Sequence, residues 1–126
     1  MNFDFQSQPE TTGAVAVAGR INTLFVCGPG RMRSLTAEQV FATRSHLRVA
    51  AAGINADATH PVTAELLNWA DIVFVMEDVH RNRLTERFAD AIRGKTVVSL
   101  GIPDRYEYMD PQLVRLLKTK TAKYLD

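Results

Sequence analysis

Cys27 is the only cysteine in the chain; Arg33 follows it six residues later, Ser34 stands next, and Gly28-Pro29-Gly30-Arg31-Met32 fills the interval. The apolar run Leu24–Cys27 predicts a strand ending on that cysteine, of the short continuous kind that is covered on both faces. Ala37, Val40 and Phe41 then recur at helical spacing, so residues 34–45 read as a helix. A tight loop between strand and helix can turn successive backbone N–H groups inward as a nest for an anion. The helix start adds its positive end. Arg33 supplies a planar fork that grips two phosphate oxygens. The same positive field favours thiolate, the nucleophilic form of cysteine. A thiolate beneath a cradled phosphate is placed for in-line attack and a phosphocysteine intermediate. Ser34 can donate a hydrogen bond that steadies the thiolate and later the departing sulfur. Cys27 by itself reads as a buried structural residue, because free cysteine is among the most buried types. The strand end, the glycines, Arg33 and Ser34 together favour the chemical reading.

Cleaving a phosphate ester also requires a proton for the leaving oxygen, so a carboxylic acid should stand nearby. The stretch Ile102-Pro103-Asp104-Arg105-Tyr106-Glu107-Tyr108-Met109-Asp110-Pro111 offers candidates. Asp110 precedes a proline and an apolar helical pattern, which reads as an N-cap with proline at the first helical position. Asp104 has no such structural task and is the expected acid; Asp110 is held in reserve and Glu107 is a third option. Tyr106 and Tyr108 flank the loop and are expected to wall a slot for an aromatic leaving group, the alternative being that they cover the sheet edge. His46 reads as part of the first helix's last turn, His60 as a loop residue and His80 as a helix-surface residue. Their spacing with Cys27 fits no zinc pattern, so no metal or other cofactor is expected. Arg81, Arg83 and Arg87 read as a solvated helix face, the alternative being a basic rim that attracts phosphorylated substrates, and Arg31 as either solvent-facing or at the pocket mouth. Trp69 reads as core.

These residues must be positioned by a fold that 126 residues allow, one domain with a real core. A net charge of +1 implies no general attraction to nucleic acid or membrane. A single cysteine excludes an internal disulfide framework and fits a reducing compartment. No apolar run approaches membrane-spanning length, and no basic residue precedes Arg20, with Ala14–Ala18 too short for a signal-peptide core. A cytoplasmic protein is therefore expected. Residues 1–20 read as a flexible leader, of which Ala14–Gly19 is either a short strand or more leader, and residues 21–126 as one domain. After the first strand and helix come a strand over Leu47–Ala52, a short helix marked by Val62, Leu66, Trp69 and Ala70, and a strand over Ile72–Met76. A helix over 78–92 follows, with Leu84, Phe88, Ala91 and Ile92 on one face and Gly94 as its stop. Thr96–Leu100 reads as the fourth strand and 111–124 as the last helix. Alternating strands and helices give a three-layer α/β/α arrangement around a parallel sheet. Ligands bind beyond the strands' carboxyl ends in such sheets. The loops holding Cys27 and Asp104 both lie at that end.

With these features in place the chain resembles the low-molecular-weight protein tyrosine phosphatases, in particular a short bacterial branch. The resemblance runs from about Asn22 to Leu117. It rests on Leu-Phe-Val-Cys with Arg33-Ser34, on Thr36-Ala37-Glu38-Gln39-Val40-Phe41, on Ala70-Asp71-Ile72-Val73-Phe74-Val75-Met76 and on Ile102-Pro103-Asp104. It implies a four-stranded parallel sheet in order 2-1-3-4 with the phosphate-binding loop after the first strand. It implies Cys27 as nucleophile, Arg33 as clamp, Asp104 as general acid, Ser34 as the thiolate's partner, and no metal. The chain departs from the pattern at several positions. The family has asparagine where Gly30 stands, bonded to a serine after the second strand, and here Ala51 or a neighbouring alanine takes that serine's place. Restoring both, as Gly30→Asn with Ala51→Ser, is expected to strengthen the loop. Pro29 lacks an N–H, Met32 replaces a second cysteine, and Arg105 replaces the proline after the acid.

The expected function is a metal-independent phosphomonoester hydrolase. Its partners would be a phosphorylated protein or a small aryl phosphate, with inorganic phosphate as product or inhibitor. The alternative is a weak or inactive phosphate- or phosphopeptide-binding module, since a looser cradle stabilises the transition state less. A phosphocysteine carrier is disfavoured by Arg33 and Asp104, and arsenate reduction by the lack of a second, resolving cysteine.

Overall fold

Ile21–Cys27 forms the central strand, β1, and its buried run explains why the sequence there is apolar without alternation. The structure, a computed structural model, describes residues 19–126. The expected leader therefore lies outside the described residues except for Gly19 and Arg20, which lead into β1. The remaining elements are α1 (Met32–Phe41), β2 (Leu47–Gly53), α2 (Ala64–Trp69), β3 (Ile72–Val75), α3 (Asp78–Arg87), α4 (Ala89–Ile92), β4 (Thr96–Ser99) and α5 (Pro111–Leu125).

All strand pairs are parallel. β1 pairs with β2 from Ile21 opposite Leu47 to Cys27 opposite Gly53, and with β3 from Thr23 opposite Ile72 to Val26 opposite Val75. β4 adds to β3, giving the order β2-β1-β3-β4, the 2-1-3-4 sheet expected. Successive residues of β1 face opposite layers. Phe25 stacks on Phe41 of α1 at 5.5 Å and on Phe74 of β3 at 5.2 Å, in the core shared with Leu113, Leu117 and Leu125 of α5. Leu24 and Val26 point into a second core with Leu67 of α2 and Leu84 of α3. Helices thus cover both faces, α1 and α5 on one, α2 to α4 on the other. No helix among the described residues is long and apolar enough to cross a membrane.

Three element boundaries differ from the sequence reading in ways that matter. Helix α1 starts at Met32 rather than at Ser34, which draws Arg33 into its first turn, and it ends at Phe41. His46 is consequently outside the helix, its Nε2 2.8 Å from the Leu125 carbonyl, tying the start of β2 to the end of α5. The helix expected over 78–92 breaks at Phe88 (φ −132°, ψ 38°), the residue whose ring packs against the second core. Asp110 is the N-cap read from the sequence: its carboxylate accepts from the Gln112 N–H at 2.9 Å, and Pro111 opens α5.

Beyond the strands the sheet's pairing continues into the loops. Ile54 N–H donates to the Cys27 carbonyl, Met76 N–H to Val26, Leu100 N–H to Val75 and Ile102 N–H to Met76, all at 2.8–3.0 Å. The loops after all four strands are thereby fixed together at one end of the sheet.

Candidate active site

Cys27 ends β1 with 1% of its surface exposed. The loop that follows doubles back over the end of β2. Gly30 has φ 70°, in the region that glycine enters without steric cost, and its N–H points at the Cys27 Sγ, 3.1 Å away. A Cβ on Gly30 would stand 2.7 Å from the Gly53 nitrogen and 3.0 Å from the Ala52 carbonyl carbon. A Cβ on Gly53 would stand 2.7 Å from both the Gly30 nitrogen and the Pro29 carbonyl carbon, and 2.6 Å from the Ala58 Cβ. Loop and strand therefore meet backbone on backbone. Gly53 is itself held from outside, donating to the His60 carbonyl at 2.8 Å and accepting from Val62 at 3.0 Å. Asn55 completes the seat, its N–H donating to the Gly28 carbonyl at 2.9 Å and its Oδ1 accepting from the Arg83 guanidinium at 2.9 Å.

The asparagine–serine brace is absent as read from the sequence, and the geometry overturns the expectation that Gly30→Asn with Ala51→Ser would strengthen the loop. Ala51 pairs with Phe25 inside the sheet, two residues before the contact. An asparagine at position 30 has no room for its Cβ. The glycine pair braces this loop by closeness, not by side-chain hydrogen bonds.

The early start of α1 sets the other side of the cradle. Met32, Arg33 and Ser34 form the helix's first turn, whose amides have no partner within the helix. Ser34 is buried with its Oγ 3.2 Å from the Cys27 Sγ. Arg33 is buried and joins three loops: its Nη1 donates to Glu77 Oε1 at 2.7 Å and to the Ile102 carbonyl at 2.8 Å, and its Nε stands 3.8 Å from Asp104 Oδ1. Asp104 is well exposed beside it. Cys27, Ser34, Arg33 and Asp104 are thus gathered at one place, at the end of the sheet. Thr36 ties the 101–110 loop to α1, accepting from Met109 N–H at 2.9 Å. The remaining candidates sit at the rim. Arg31 and Met32 are exposed, Tyr108 is half exposed, and Tyr106 packs against the first core with the Arg105 guanidinium 5.8 Å from its ring centre. Arg83 and Arg81 are not simply solvated: Arg83 holds Asn55, and Arg81 donates to the Val97 carbonyl.

Two residues escaped the sequence reading. Glu77 follows β3 at the site end of the sheet and is the anionic partner of the buried Arg33. His80, expected on a helix surface, is buried. Its Nδ1 accepts the Glu77 N–H at 3.1 Å and its Nε2 lies 3.9 Å from the Glu77 carboxylate. The Nδ1 acceptor role places the ring proton on Nε2, toward that carboxylate. Burial, and then the nearby Arg33 charge, hold the His80 pKa below its ordinary value; Arg83 acts in the same direction, and Glu77 and Asp104 oppose it. The ring is kept neutral, so it can go on accepting from Glu77. The signal available was spacing: His80 lies four residues before the inward-facing Leu84, on the same helical face.

Neither a family model nor a curated protein sequence matches the chain. Solved structures do resemble it. The tyrosine phosphatase Wzb from Escherichia coli K30 in complex with phosphate has a TM-score of 0.66 and 20% identity, over 83% of this chain and 96% of that one. Vibrio vulnificus Wzb in complex with benzylphosphonate has a TM-score of 0.67 and 24% identity, over 84% and 97%. The YwlE arginine phosphatase from Geobacillus stearothermophilus has a TM-score of 0.61 and 18% identity, over 84% and 98%. The chain has the fold of the low-molecular-weight phosphatases, as the sequence resemblance implied.

Forced crowding in a packed site costs about 1–3 kcal/mol, so Gly53→Ala and the Gly30→Asn, Ala51→Ser pair should each lower the melting temperature and weaken orthovanadate binding. A double variant more stable than the wild type would contradict the glycine brace. His80 predicts a pH effect of definite sign. Below pH 6.5 the unfolded chain takes up a proton that the folded chain resists, so this stabilisation is complete above 6.5 and declines as pH falls toward the folded value. Asparagine keeps an acceptor for Glu77 but does not titrate. Melting curves of His80→Asn should therefore fall less steeply below pH 6.5 than those of the wild type, and equal slopes would contradict the assignment.

Proposed function

We propose that this chain is a metal-independent phosphomonoester hydrolase that acts on phosphotyrosine or aryl phosphates through a phosphocysteine at Cys27. One observation carries the reading: the Cys27 Sγ lies within 3.2 Å of both the Gly30 nitrogen and the Ser34 hydroxyl, with the buried Arg33 beside Ser34 in the first turn of α1. The Gly30 N–H donates to the sulfur, and the Ser34 hydroxyl is placed to do the same. In this reading the loop formed by Gly28, Pro29, Gly30, Arg31, Met32, Arg33 and Ser34 holds the phosphoryl group with its amides. The Arg33 Nη1 is occupied by Glu77 and Ile102, while Asp104 stands 3.8 Å from Nε, beyond hydrogen-bond distance, so the Nε and Nη2 edge can take two phosphoryl oxygens. The sulfur lone pair attacks phosphorus, the ester P–O bond breaks, and its electron pair leaves on the alkoxide or phenoxide oxygen. Asp104 gives that oxygen a proton. The Asp104 carboxylate then takes a proton from water, whose oxygen attacks the phosphocysteine, and the P–S bond breaks to release inorganic phosphate and the thiolate. Tyr106 and Tyr108 follow Asp104 closely in the chain and supply the aromatic wall for the leaving group.

The similar structures include a tyrosine phosphatase bound to phosphate and one bound to benzylphosphonate, an aromatic phosphonate, which supports this ligand chemistry. A second reading, a non-catalytic phosphate-binding module on the same scaffold, draws on Pro29, which removes one amide donor from the nest.

Hydrolysis of p-nitrophenyl phosphate in the presence of a chelator separates the two readings. Cys27→Ser should abolish turnover, and Arg33→Lys should lose most of it together with phosphate affinity, because an ammonium cannot form the bidentate fork. Asp104→Asn should slow phosphotyrosine, whose leaving group needs its proton, much more than p-nitrophenyl phosphate. Asp110→Asn should leave both rates near wild type, since asparagine caps a helix as well as aspartate. Wild-type turnover in Cys27→Ser, or the leaving-group dependence appearing in Asp110→Asn instead, would contradict the assignments.

A further inference from the structure

The loop that brings Asp104 to Arg33 runs on, in the next residue, into a cleft of which the proposed chemistry uses only Tyr106. Arg105, Tyr106, Gln112, Arg115 and Leu116 line it, with a volume of ≈ 330 Å³. Tyr106 and Leu116 pack against the first core and form an apolar floor. Arg105 and Arg115 are exposed, and among the described residues neither has an ion-pair partner. The Arg105 guanidinium lies over the Tyr106 ring at 5.8 Å from its centre, within cation–π range. Gln112 adds a side-chain amide. Two guanidinium groups, an amide donor and an apolar floor complement a carboxylate carried on a short apolar stem. Arg105 also stands where the family resemblance puts proline, which carries neither charge nor donor, so the subsite belongs to this chain's own sequence.

We propose that this cleft is a specificity subsite for an aspartate or glutamate side chain of the substrate, close in sequence to the phosphorylated residue. An extended peptide advances about 3.3 Å per residue. A side chain roughly two to four residues from the phosphotyrosine therefore reaches a cleft that begins one residue after the acid. The proposal rests on the phosphatase reading. It narrows the substrate class to phosphotyrosine in an acidic sequence context.

The test uses the full chain and two phosphotyrosine peptides, one with glutamate flanking the phosphotyrosine and one with glutamine at the same positions, so that only charge differs. p-Nitrophenyl phosphate, which cannot reach the cleft, serves as a control for the chemistry. The glutamate peptide should show a kcat/KM about fivefold higher at low salt, the scale of an exposed arginine–carboxylate pair, and the advantage should shrink as salt screens it. Arg115→Gln and Arg105→Gln should each reduce the advantage. Arg115→Gln should leave p-nitrophenyl phosphate turnover unchanged. Equal rates on the two peptides, or an advantage that survives both substitutions, overturns the subsite while the phosphatase reading stands. If the wild type turns over neither the peptides nor p-nitrophenyl phosphate, the phosphatase reading fails. Calorimetric binding of the same peptides then decides the subsite: tighter binding of the glutamate peptide supports it, and equal or absent binding overturns it.

Discussion

The contact between Gly30 and Gly53 is the constraint on which the site geometry depends. With no Cβ on either side, the loop after β1 rests directly on the end of β2. That approach sets the left-handed turn at Gly30, and the turn aims its N–H at the Cys27 sulfur. The chain then enters α1 two residues sooner than hydrophobic spacing indicated, which puts Arg33 and Ser34 in the first helical turn, where amides have no partner within the helix. A larger residue at either glycine would lift the loop and disturb all of these placements together.

Electrostatics follow from burial. A guanidinium taken out of water must be paired and hydrogen-bonded, since an unpaired buried charge is strongly unfavourable. Arg33 meets this requirement with Glu77 after β3, the Ile102 carbonyl and Asp104, both after β4. The same bonds that satisfy the charge fix the direction of the fork; in the proposed function this leaves little reorganisation for phosphate binding. His80 extends the arrangement one step further by fixing the backbone at Glu77 while staying neutral.

Much of this was legible in the sequence, and what was not has a common cause. The parallel sheet followed from short apolar runs separated by amphipathic stretches. The union of Cys27 and Asp104 followed from both residues lying at strand carboxyl ends. Asp110 could be read as a cap because capping is local. The glycine brace could not be read, because its two halves lie on different strands and become neighbours only through the register that puts Cys27 opposite Gly53. From sequence alone Gly30 looked like the loss of an asparagine. His80 was misread because a polar residue was assigned to solvent, although the inward-facing Leu84 marked its face of α3 as buried. Glu77 was passed over because its partner is a buried arginine elsewhere in the chain. In each case a long-range contact decided the residue's role.

The most direct test of the account is whether the braced loop delivers Cys27 to phosphorus. The purified chain mixed with p-nitrophenyl phosphate, quenched within the first turnover under conditions that preserve the labile thiophosphate, and mapped by mass spectrometry gives the answer. A phosphoryl adduct on Cys27, formed and consumed at rates compatible with turnover, is the expected result. Turnover without any adduct, or an adduct on another residue, would contradict it.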